Sequence, residues 1–145
     1  FKEALQPEFK EYAKQILANA KALEKVLKER GFKICFNTTE NHLLLIDVTE
    51  KGVSGREAQD LLDEVGITCN KNMIPDDPRK PMDPSGIRVG TPAMTSRGFN
   101  EADFTEVGEL IARTIEGKDS PETLAQIKKD VLNLTNKYPL YPELS

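Results

Sequence analysis

The sequence predicts an α+β domain in which helices pack on a small sheet. Three observations carry this expectation: long stripes of apolar residues at helical period, short β-type apolar runs between them, and one proline-punctuated segment that fits neither pattern. In chain order the elements read α-β-β-α-β-loop-β-α-α, which gives two-layer packing of helices on a sheet. The 145 residues suffice for a single domain, taken as 1–145, with an adequate core.

The elements follow from local chemistry. Phe9, Tyr12, Ala13, Ile16, Leu17, Ala20, Leu23, Val26 and Leu27 recur at helical spacing, predicting a long amphipathic helix from near Pro7 that Gly31 stops. Residues 32–36 and 42–48 are strand-like, separated by Asn37-Thr38-Thr39-Glu40-Asn41, and read as a β-hairpin or a close pair. The second run is continuously apolar, as for a central strand covered on both faces. Ser54-Gly55-Arg56-Glu57 forms a capping box, opening a helix with Ala58, Leu61, Leu62 and Val65 that stops at Gly66. Ile67-Thr68-Cys69 reads as a short strand. Residues 70–84 differ in kind. Pro75, Pro78, Pro81 and Pro84 keep the backbone extended and non-helical. A loop of that length in a compact domain is usually functional or disordered, and ordering by proline favours function.

Residues 87–91 read as a further strand. Asn100 caps a helix carrying Phe104, Val107, Leu110, Ile111 and Ile115, closed by Gly117. Ser120-Pro121-Glu122 starts a last helix, with serine at the cap and proline in the first turn. Its stripe of Leu124, Ile127, Val131 and Leu134 ends before Tyr138-Pro139.

Composition excludes several classes of partner. The net charge is -4, with both signs interspersed and no basic stripe, so nucleic acid is not expected. No apolar run approaches the roughly 20 residues of a membrane helix, and the first residues lack the order of a signal peptide. Without an initiator methionine, the chain is expected to be a piece of a longer protein. Cys35 and Cys69 lie within predicted strands, where reduced and buried thiols behave as small apolar groups; this suits the cytoplasm. A strand-to-strand disulfide is the lesser alternative. In such a compartment the sequons at Asn37 and Asn133 carry no meaning.

Most catalytic signals are absent. His42 opens an apolar strand, where a lone histidine is more often structural. No histidine pair or cysteine cluster has metal-ligand spacing, so no metal is expected. Asp76 and Asp77 are adjacent in sequence and therefore point apart, which reads as a solvated turn. Gly86 and Gly90 lack the lysine and hydroxyl of a phosphate loop, and no Gly-x-Ser-x-Gly turn occurs.

A binding constellation remains. Arg88 stands in a run of small and apolar residues, where a strand would be half or fully buried. A buried guanidinium needs an anionic partner, and its planar fork fits a carboxylate bidentately. That partner is either one of the chain's own carboxylates or an external anion; spacing alone leaves both open. Asn72 enters the proline-rich loop, where its amide either caps its own turn or pairs with the donor–acceptor edge of a heterocycle.

Several motifs together resemble one family. Asn70-Lys71-Asn72, Pro75-x-Asp77-Pro78, Ser85-Gly86-Ile87-Arg88-Val89-Gly90-Thr91-Pro92-Ala93 and Thr95-x-Arg97-Gly98-Phe99 are similar to the C-terminal part of serine hydroxymethyltransferase. Asn41-His42-Leu43-Leu44-Leu45 and the opening Glu3-Ala4-Leu5-Gln6-Pro7-Glu8-Phe9-Lys10-Glu11-Tyr12 resemble the same family, so the likeness covers nearly the whole chain. The resemblance implies the small C-terminal domain of a pyridoxal-phosphate enzyme of fold type I (aspartate-aminotransferase-like), working as a homodimer. Such an enzyme interconverts serine plus tetrahydrofolate with glycine plus methylenetetrahydrofolate.

By that resemblance, Arg88 matches the arginine that holds the amino-acid carboxylate, and Asn72 an asparagine that contacts the folate pterin. Lys80, Pro81 and Met82 fall where the family often has serine, proline and phenylalanine around the folate, so two of the three differ. The family's cofactor lysine and its other catalytic groups belong to a large N-terminal domain. No catalytic residue is therefore expected here, and this chain alone is expected neither to hold pyridoxal phosphate covalently nor to turn over serine. The alternatives are a non-catalytic amino-acid or folate binding module, or the equivalent domain of a related pyridoxal-phosphate-dependent aldolase.

Overall fold

A computed structural model describes residues 7–36, 43–90 and 98–137. Helix α1 (Pro7–Glu29) leads into strand β1 (Lys33–Phe36) and then β2 (Leu43–Asp47). A 3₁₀ turn at Thr49–Lys51 precedes α2 (Gly55–Val65), followed by β3 (Asn70–Asn72) and β4 (Gly86–Gly90). The chain closes on α3 (Glu101–Glu116) and α4 (Pro121–Asn136). The expected turn at 37–41, His42, the end of the fourth strand at Thr91, the motif at Thr95 and Arg97, and Tyr138-Pro139 lie outside the described residues.

The caps form as the sequence predicts. Ser54 Oγ accepts from the Glu57 N–H at 3.2 Å, while Glu57 Oε1 accepts from the Ser54 N–H at 3.0 Å. Asn100 and Asp103 make the same reciprocal pair, 3.0 Å each way. These bonds satisfy amides that have no partner within the helix.

The four strands form one antiparallel sheet in the order β1-β2-β4-β3. β2 is central, and Leu44, Leu45, Ile46 and Asp47 are all buried, as its unbroken apolar run predicts. Cys35 is the extra residue where the β1 register shifts between Ile34 and Phe36, and it is half-buried rather than buried. Leu44, Ile46, Ile87 and Val89 on one sheet face join Leu23 and Leu27 of α1, Leu62 of α2, and Phe104 and Ile111 of α3 in a single core.

One expected strand is displaced. Residues 67–69 are not in the ladder; β3 starts at Asn70. The Ile67 N–H bonds back to the Leu62 carbonyl at 2.8 Å, closing the end of α2. Ile67 and Cys69 are buried, so their apolar character reports core burial and not strand pairing. Among the described residues no helix is long and apolar enough to cross a membrane.

Candidate functional site

Strand period decides where the arginine goes. Ile87 and Val89 point into the core, so Arg88 between them projects from the other face of β4, where it is exposed. This corrects the expectation of a half or fully buried arginine. Its apolar sequence neighbours line the opposite face, and an exposed guanidinium carries no desolvation demand for an internal partner. Arg30, Arg79 and Arg113 each pair with a carboxylate at 2.8–3.1 Å. Arg88, like Arg56, has no ion pair among the described residues.

Register places the neighbours. Arg88 stands opposite Leu45 of β2 and Asn70 of β3, and Asn72 stands opposite Gly86, so Arg88, Asn70 and Asn72 share one face. Leu45 is buried on this face, apart from the main core. A Cβ on Gly86 would lie 2.8 Å from Ile74 Cγ2 and 3.0 Å from the carbonyl oxygens of Asn72 and Ile46. Glycine is required there so that the loop after β3 can close down beside Arg88. The Asn72 amide donates to the Met73 carbonyl at 2.8 Å, a bond within its own turn. Its Oδ1 carries no hydrogen bond among the described residues.

Lys80, Pro81 and Met82 form the exposed tip of the loop, with Met82 75% exposed. Pro81 and Met82 line a cavity of about 430 Å³ with Arg56, Gln59 and Asp60 of α2 and with Lys71. Lys71 alternates with Asn70 and Asn72, so this cavity opens on the helix side of the sheet edge. The structure thus brings Arg88 and Asn72 together and sets Pro81 and Met82 around the corner from them.

The sequence reads Asp77 as part of a solvated turn, and the structure gives it a different place. Asp77 Oδ1 accepts from Ser85 Oγ at 2.7 Å and the Arg79 N–H at 2.9 Å. Oδ2 accepts from the Ser85 N–H at 2.9 Å and the Ile74 N–H at 3.2 Å. Desolvation pushes this carboxyl up, but the hydrogen bonds from Ser85, Arg79 and Ile74 outweigh it and hold the group down at about 2. The pair Asp76-Asp77 is therefore not simply a solvated turn. Asp76 takes the turn, at φ 55°, and Asp77 closes the neck of the loop. The available signal was Pro75 before the pair: proline at the second turn position leaves the third, Asp76, for a positive φ.

The arrangement offers a fork of five donors for a carboxylate, with two amides beside it able to donate and accept. Among known proteins, the family model for serine hydroxymethyltransferase matches residues 1–111. The chain is 49% identical to a serine hydroxymethyltransferase of Polynucleobacter asymbioticus and 50% identical to one of Janthinobacterium sp., each over 97% of this chain. It is 48% identical to another from Koribacter versatilis over 99% of this chain. In each case it spans 34% of the relative's length.

Proposed function

The chain belongs to the serine hydroxymethyltransferase family, and on that premise we propose that it is the C-terminal domain of such an enzyme, supplying the carboxylate clamp and part of the folate site. The intact protein would interconvert serine and tetrahydrofolate with glycine and methylenetetrahydrofolate, as a homodimer of fold type I. The observation that carries the reading is Arg88: an exposed guanidinium without an ion pair among the described residues, held on a strand beside two asparagines. A bidentate grip on the substrate carboxylate orients the bonds at Cα, so that the correct one is placed to break. Asn72 Oδ1 and its amide would meet the donor–acceptor edge of the pterin, and Lys80, Pro81 and Met82 would flank the folate once the loop tip meets the rest of the protein.

Pyridoxal phosphate would supply the electron sink for the Cα carbanion. The described residues do not fit a set that holds it. Asp47, on the Arg88 face, is taken by the Thr49 N–H at 2.9 Å and hydroxyl at 2.6 Å, and Lys33, the lysine that shares this face, stands opposite Asp47 on β1, two strands away from Arg88. The cofactor is therefore assigned to the larger part of the protein, and this chain alone is expected to be inactive.

Steady-state kinetics of the intact protein test the reading. Arg88→Lys keeps the charge and loses the fork, so kcat/KM for serine should fall about 10- to 100-fold, the value of one charge-assisted hydrogen bond. Kinetics matching the unaltered protein would remove Arg88 from this role. Asn72→Ala should lower folate-dependent turnover more than folate-independent aldol cleavage; equal losses would mean that Asn72 only shapes the loop.

A further inference from the structure

We propose that Asp77 is a positioning residue for the Arg88 and Asn72 face: by tying together the two stems of the loop between β3 and β4, it sets the register of one strand against the other. This rests on the reading of that face as the ligand site. β3 is three residues long and lies at the edge of the sheet, paired only with β4. A strand that short specifies its register weakly, and a slip of one residue would turn Asn70 and Asn72 to the helix side and bring Lys71 to the face of Arg88. Something outside the ladder must hold it.

Each stem is fixed to α2 separately. The Lys71 N–H donates to Gln59 Oε1 at 2.7 Å on the outgoing side, and the Gly55 N–H to the Pro84 carbonyl at 2.7 Å on the returning side. Asp77 joins the stems to each other. It accepts from Ile74 two residues after β3 and from Ser85 one residue before β4, and with Arg79 it fills both oxygens. The same contact seats Ile74 against Gly86, two residues along β4 from Arg88. Arg79 and Asp83, by contrast, pair with each other at 2.8 Å at the exposed tip.

The test compares Asp77→Asn, Ser85→Ala and Arg88→Lys in the intact protein, reading amide hydrogen exchange together with kcat and KM for serine and tetrahydrofolate. Asp77→Asn keeps the size of the side chain but replaces one accepting oxygen by a donor. Exchange should quicken at residues 72–74 and 85–88 and not through α1 and α3, and the KM for tetrahydrofolate should rise about tenfold while kcat changes far less. Ser85→Ala removes one donor to Asp77 and should shift both readouts in the same direction by about threefold, which keeps the test decisive if the Asp77 variant does not fold. Unchanged KM values in the Asp77 and Ser85 variants with a damaged Arg88→Lys would overturn the positioning role alone. So would exchange rising equally throughout the core. A silent Arg88→Lys would remove the ligand-site reading, and the positioning role with it.

Discussion

At the scale of single residues, environment separates groups that look alike in the sequence. Cys69 is buried, and burial first, then the nearby Asp63 charge, pushes its thiol up to about 12. Cys35 is raised by the same order of causes, burial and then Asp47, but it is only half-buried. A thiolate is the reactive form, so at pH 8 Cys69 presents roughly one part in ten thousand as nucleophile. Labelling of the folded protein with a thiol reagent at pH 8 should modify Cys35 first, with Cys69 slower by at least about 100-fold. Equal rates would show that Cys69 is not enclosed as described. Asp76 and Asp77 make the same point. One takes a positive φ in a turn and the other gathers four hydrogen bonds, a division that adjacency in the sequence does not reveal.

At the scale of elements, the start of α2 is pinned to the returning stem of the loop. A Cβ on Gly55 would collide with the Gly86 carbonyl oxygen and lie 2.9 Å from that of Pro84. Both are backbone atoms, so no rotamer change relieves the clash. Gly55→Ala should therefore cost about 1–3 kcal/mol despite the better helix propensity of alanine, read as a lower urea midpoint with unchanged slope. A neutral or stabilised variant would mean that α2 can pivot away from β4. The helices were legible because caps and stripes are local: Ser54 with Glu57, Asn100, and Ser120 before Pro121 each mark a boundary that the structure keeps. β3 was not. Its residues Asn70, Lys71 and Asn72 carry no strand propensity, and they pair only because β4 offers an open edge.

At the scale of the whole molecule, α1 and α3 cross closely at Gly108. A Cβ there would collide with Val26 Cγ1 and approach Leu23 Cδ1 to 3.3 Å. Val26 is buried and β-branched, and in a helix it has little rotamer freedom with which to yield. Gly108→Ala should destabilise the fold by about 1–2 kcal/mol, the overpacking cost exceeding the gain in propensity. Thermal unfolding measures this, and adding Val26→Ala should recover part of the loss. An additive double variant would show that the two helices do not meet there. The tie from Lys137 Nζ to Asp103 at 2.7 Å adds a polar link between the end of α4 and the start of α3.

The sequence by itself determined the helices, their caps, the central strand and the family, because each is written in residues close along the chain or in motifs matched in order. Only the tertiary structure decided that Arg88 is exposed, that Asn70 and Asn72 share its face, and that Asp77 closes the loop onto Ser85. Those outcomes depend on which strand pairs with which, and in what register. Strand pairing joins residues distant along the chain, so no local pattern of side chains encodes it.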